Sequence, residues 1–314
     1  MFQKRVASSP FTLPVVGAIA VVMWLLLRRE DVGWQELFLG LATSTVAVYM
    51  LAELNNRHVL LRISSRLISS LLAVMLAAVV QLHHFQVGHV VLLFSLASFF
   101  PFFFLYQWPS PVLTLIAYLL LSLGSFVFPP ILFLLPAYWG GQIYMRGMSS
   151  RCFVASLLGL LMPYWFLAGV QFFLGNYDAA LLSLSLQEIA GSGGLFADFH
   201  IFSGYETLTW VRCVQFGYIL LLLVVGIVDF QMQGYLDKTR TRVIYHVLEI
   251  HSVVVMFFLL FRAQYFYQFL PLLMVDAAIL GGHFLALTYN KFSRIFCIFF
   301  LLASLGVLIV SFHA

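Results

Sequence analysis

Long apolar runs, broken only by short polar turns, recur from one end of this chain to the other. A bilayer core asks for about 20 consecutive apolar residues per helix, and about 17 suffice. By that measure eleven segments qualify: residues 11–27, 36–53, 66–82, 88–106, 111–127, 129–146, 152–174, 209–228, 243–262, 265–285 and 293–311. They are continuous runs rather than stretches of alternating polarity, which excludes a β-barrel. The pattern therefore predicts an all-α polytopic transmembrane bundle of about eleven spans, a single integral membrane domain over residues 1–314. The fifth and sixth spans are parted only by Phe128-Pro129-Pro130. Proline cannot continue a helical hydrogen-bond ladder, so residues 111–146 are expected to form either a tight hairpin or one broken helix.

The distribution of charge orients the spans. With the N-terminus in the cytoplasm, the inner segments hold Lys4, Arg5, Arg57, Arg62, Arg66, Arg146, Arg151, Lys238, Arg240, Arg242, Lys291 and Arg294, against Arg28, Arg29, Arg212 and Arg262 outside. That is a clear positive-inside bias, and merging the fifth and sixth spans would destroy it. Eleven crossings then place the C-terminus on the periplasmic side. No small-residue cleavage site follows the first apolar run, so that run is expected to stay as an anchoring helix. The long loop at about 175–208 carries Asp178, Glu188, Asp198 and Glu206 and no Lys or Arg. Ala179, Leu182, Leu186 and Ile189 share one helical face there, which predicts a short interfacial helix ahead of the flexible Gly191-Ser192-Gly193-Gly194. No internal repeat is visible, so the inverted-repeat transporter pattern gains no support.

Composition removes the other classes. Hydrophobic residues make up 63% and charged residues 9% of the 314, with mean hydropathy +1.02, where a soluble domain carries about 25% charge. The net charge of +4 resides largely in short loops, where membrane topology explains it and nucleic acid does not. Cys152, Cys213 and Cys297 all lie in apolar segments without metal-ligand spacing. They read as small core residues, with no metal site and no disulfide.

Three sets of ionisable residues could carry chemistry, because such groups are costly inside a bilayer. The first is the outer turn Arg28-Arg29-Glu30-Asp31. Paired guanidinium groups suit a phosphate, and Glu30 or Asp31 could act as general base or position a metal. The second lies on the ninth and tenth spans: His246, Glu249 and His251, then Asp276 and His283. His246 and Glu249, three apart, share a face. At 1.5 Å rise per residue, Asp276 falls about 16 Å from the outer end and His251 about 12 Å from the inner end, so the two can meet. His283 is expected nearer His246 and Glu249. This set reads as a proton relay, as a His/carboxylate iron site, or as polar glue between helices. The third set is Arg212 and Arg262, at the outer ends of their spans, which with Arg28 and Arg29 could hold an anionic headgroup. His83, His84 and His89, the aromatic belt Phe99–Phe104 and the basic turn Asn55-Asn56-Arg57-His58 have ordinary membrane-protein explanations.

The run Gly124 to Phe133, the segment Leu158 to Trp165, Glu53-Leu54-Asn55-Asn56 and Phe269-Leu270-Pro271 together resemble a family of polytopic inner-membrane proteins of Bacteroidota built on a domain of unknown function. Some of its members carry the label β-carotene 15,15′-monooxygenase. The resemblance covers most of the chain and implies the inner membrane of a Gram-negative bacterium. The carotene-cleaving label implies an iron-dependent oxygenase with histidines in tight motifs, which the scattered His246, His251 and His283 do not form. The stretch Tyr267-Gln268-Phe269-Leu270-Pro271 is also similar to the opening of a late helix in lipid-linked sugar transferases.

The leading expectation is thus a protein handling a polyprenyl-phosphate-linked glycan at the outer leaflet, glycosyltransferase-like. Arg28, Arg29, Arg212 and Arg262 would bind phosphate, with Glu30 and Asp31 catalytic. The alternative is a non-enzymatic transporter or envelope-complex subunit using His251 and Asp276. Membrane lipids and a protein partner in the envelope are the expected partners, and the residues name no cofactor.

Overall fold

A computed structural model of the chain describes residues 9, 11–27, 33–63, 65–173 and 209–313. Among them are eleven α-helices and no strand: α1 Thr12–Leu26, α2 Trp34–His58, α3 Leu67–Ala78, α4 Val87–Phe103, α5 Pro111–Ser125, α6 Leu135–Tyr144, α7 Ser150–Phe173, α8 Trp210–Gln233, α9 Thr239–Phe261, α10 Phe266–Leu287 and α11 Lys291–Phe312. Six of these, α2 and α7 to α11, are long and apolar enough to cross a membrane. The protein is an all-helical membrane protein. The turn Arg28–Asp31, the expected interfacial helix at about 175–208 and its glycine break lie outside the described residues.

Local sequence sets the helix starts. Ser110 caps α5 by accepting from the Leu113 N–H, and Pro111 follows at the first turn, where its missing N–H costs nothing. Pro129 and Pro130 open a six-residue 3₁₀ segment, Pro129–Leu134, before α6 begins. A 3₁₀ turn rises about 2.0 Å per residue, so this segment and ten-residue α6 together extend about 27 Å. The chain folds back here as a hairpin. Gln142 of α6 donates to Thr114 of α5 at 3.1 Å, and the Tyr118 hydroxyl donates to Gln142 at 3.1 Å.

The helices of the bundle run between two end faces. At one, Asn55 reaches the Ser65 carbonyl, the Gln107 N–H donates to the Met145 carbonyl, and Arg240 meets His58. This is the Arg62 end. At the other, the Trp24 indole donates to the His83 carbonyl at 2.8 Å, Phe85 N–H donates to the Glu36 carbonyl, and Gln81 reaches the Ser311 carbonyl. This is the His83 end.

Helix α10 is the hub, packed on by α3, α4, α8 and α9 and almost wholly enclosed. Small residues make that approach close. A Cβ on Gly226 of α8 would stand 2.5 Å from the Leu280 carbonyl carbon, and one on Gly282 would stand 2.7 Å from the Ile68 side chain of α3. Close backbone contact through small residues is how helices gain dispersion energy where lipid offers no hydrophobic contrast. Helix α3 is short, but every residue except Val74 is buried. The irregular backbone that follows it, Val79–Leu82, is largely buried in protein rather than facing lipid, the one setting in which a bilayer tolerates it.

Candidate functional site: a buried polar seam along α9 and α10

Both α9 and α10 are apolar helices interrupted by a few ionisable residues. Their antiparallel packing decides which of those meet. Asp276 is ten residues into α10 from the His83 end, and His251 is ten residues from the end of α9 at that same face. Each is about 15 Å along its axis, so the two stand level. His251 Nδ1 lies 2.8 Å from Asp276 Oδ2, with Asp276 0% and His251 2% exposed. The second atom of each group, His251 Nε2 and Asp276 Oδ1, has no hydrogen-bond partner. The Phe99 ring stands edge-on to the imidazole at 5.2 Å. Tyr138 of α6 flanks the same imidazole, its hydroxyl bonded to Ser98. An ionisable pair with open valences in a packed apolar core is costly to bury.

Seven residues further along α10, His283 forms a second cluster toward the Arg62 end. Its Nε2 is 2.8 Å from Asp237 Oδ2, and its Nδ1 is 3.6 Å from Asp229 Oδ2. Asp237 Oδ1 is 2.6 Å from Arg62 Nε, an ion pair whose N–H does not point along the contact. Asp229 Oδ1 accepts from Thr288 and Gln233, both at 2.9 Å. His283 Nδ1, Asp229 Oδ2 and the Tyr245 hydroxyl beside them have no hydrogen-bond partner.

His246 and Glu249 form a third, more exposed pair at 2.9 Å, and Gln231 donates to both Glu249 oxygens at 3.1 Å. His283 does not join them. The Phe230 ring lies against both imidazoles, 5.4 Å from His246 and 5.5 Å from His283, and the carboxylates that reach His283 come from α8 and the α8–α9 turn instead. Neither carboxylate stands out in the sequence. Asp229 falls one residue past the expected end of its span, and Asp237 sits next to Lys238 and Arg240 as if in a solvated loop. The one available signal was an acid at the end of an otherwise apolar helix.

The other expected set is only partly in view. Arg212, at the start of α8, lies over Tyr267 and Phe266 at 5.1 and 5.9 Å. It borders an apolar groove of about 160 Å³ with Phe216 and Leu259. Arg262 closes α9, its N–H donating to the Phe258 carbonyl. Arg28, Arg29, Glu30 and Asp31 lie outside the described residues. Among the described residues, no group of three or more His, Cys, Asp or Glu is arranged to hold a metal ion. The three cysteines are free thiols.

Fold and site together define the class: a helical membrane protein with two separate buried His–carboxylate clusters inside its bundle. No family model, curated protein or solved structure matches the chain.

Proposed function

We propose that this protein is a non-enzymatic, proton-driven carrier that crosses the membrane eleven times, with the Arg62 end facing the cytoplasm. The observation that carries this reading is the His251–Asp276 pair. It is fully enclosed at mid-helix and joined by a single 2.8 Å contact, and each partner has one polar atom unbonded. Such a pair holds or releases one proton without needing a second charge, and local rearrangement presents the open atoms to either side. The His283 cluster lies about 10 Å further along the same helix, toward the end where Arg62, Arg240 and Lys238 gather. That is the basic, inner face by the positive-inside rule. Transfer of a polyprenyl-phosphate-linked glycan would draw on Arg28 to Asp31, which lie outside the described residues; the carrier reading rests on the buried pair alone.

The test is proton movement in vesicles containing purified protein and an entrapped pH dye, together with infrared titration of the carboxyl groups. Wild-type protein is expected to relax an imposed pH gradient well above the protein-free rate and to show a titrating buried carboxyl band. Asp276→Asn removes the flux and the Asp276 contribution to that band, leaving only what Asp229 and Asp237 supply, and His251→Gln slows the flux. Identical flux and identical spectra in wild type and Asp276→Asn would make the pair structural and overturn the relay.

A further inference from the structure

Beside the His283 cluster is a cavity of about 300 Å³ between α8 and the α10–α11 turn, lined by Asp229, Gln233, Thr288, Asn290, Phe284 and Phe292. Its walls are otherwise aliphatic, and it opens where Val228, Met232 and Phe292 are exposed. Asp229 is 8% exposed, and its Oδ2 has no hydrogen-bond partner.

The charges around this cavity do not balance. Arg62 offsets Asp237. Asp229 has only the neutral donors Thr288 and Gln233 and an imidazole at 3.6 Å. Tyr245 adds a neutral hydroxyl against His283. The remaining cations at this end are engaged elsewhere or point out. Arg240 is held by His58 and Phe104, Arg242 bonds Thr239, Arg57 bonds Glu53, and Arg66, Arg146, Arg151, Lys238, Lys291 and Arg294 are exposed; none of these lines the cavity. With neutral His283 the cluster is therefore one positive charge short. An uncompensated buried carboxylate is costly, and two species can supply the charge: a proton on His283 or a cation in the cavity.

We infer that the cavity binds a small organic ammonium ion against Asp229, in competition with a proton on His283. The chemistry fits that class. Asp229 brings a carboxylate to the cavity wall, its Oδ2 meeting no hydrogen-bond donor, Phe284 and Phe292 add aromatic rings to the lining, as alkylammonium sites do, and the aliphatic walls take the substituents. Binding the cation releases the imidazole proton, and protonation expels the cation, so at this cavity each excludes the other. This inference rests on the carrier reading and names its substrate class.

Equilibrium binding of radiolabelled tetraethylammonium to the purified full-length protein tests it without requiring flux. Wild type is expected to bind at about pH 8 and to weaken by up to about tenfold per pH unit toward about pH 5, the limit for one proton displaced per cation. Asp229→Asn should abolish binding. His283→Gln should still bind but lose the pH dependence. Val225→Phe, at an aliphatic wall of the cavity, narrows it and leaves every charge in place; it should also abolish binding, and it serves if Asp229→Asn misfolds. No binding by wild type at either pH, or equal binding by Asp229→Asn, overturns the inference; if proton flux persists in that case, the relay stands and only the substrate class falls.

Discussion

At the scale of single residues, the decisive feature is that one aspartate serves two partners. Asp237 presents one oxygen to Arg62 at 2.6 Å and the other to His283 at 2.8 Å, and its side chain is 1% exposed. Replacing it with alanine strands a buried imidazole and a guanidinium together. Breaking a buried ionic contact from one side costs about 3–5 kcal/mol, so Asp237→Ala should lower the unfolding midpoint in detergent sharply. Arg62→Gln should lower it less, because the Arg62 side chain is 35% exposed and a proton on His283 can restore the charge that offsets Asp237. Equal midpoints for the two variants would show that the buried carboxylate contributes no more than its half-exposed partner.

At the scale of elements, helix contacts depend on backbone approach as much as on side-chain apolarity. Gly226 faces the Leu280–Gly281 backbone with no room for a Cβ, whereas Gly217, two and a half turns earlier on α8, has nothing within 4 Å. Gly226→Leu must push α8 from α10. Overpacking of this kind costs about 1–3 kcal/mol, and it should also separate Asp229 from His283. Gly217→Leu should leave the melting curve unchanged. Thermal unfolding of the two variants side by side checks this, and a stable Gly226→Leu protein would show that α8 and α10 can part without loss. The hairpin of α5 and α6 follows the same logic in reverse. Pro129-Pro130 was visible as a break, but whether the chain reversed there was settled by Gln142 reaching Thr114 and Tyr118.

At the scale of the whole molecule, the end faces make a topological prediction. Trp108 and Tyr289 are exposed at the Arg62 end, and Val127 is exposed at the His83 end. In a cysteine-free background, single cysteines at Trp108 and Tyr289 should react with an impermeant maleimide only after the cytoplasmic side is opened, and one at Val127 from the outer side of intact spheroplasts. Labelling of all three from one side would refute eleven crossings.

The sequence by itself determined the helical membrane class, because continuous apolar runs and 9% charge leave no other way to satisfy the backbone in lipid. It also singled out His246, Glu249, His251, Asp276 and His283, since ionisable groups inside apolar helices stand out against their neighbours. Only the tertiary structure decided their partners. Two residues level on antiparallel helices can be guessed from axial rise, as His251 and Asp276 were. The azimuth of each helix and the identity of a third neighbour cannot. His283 therefore found Asp229 and Asp237, residues that in sequence look like a helix end and a solvated turn, because a close glycine crossing brings α8 against α10 and carries one of those acids into the core with it.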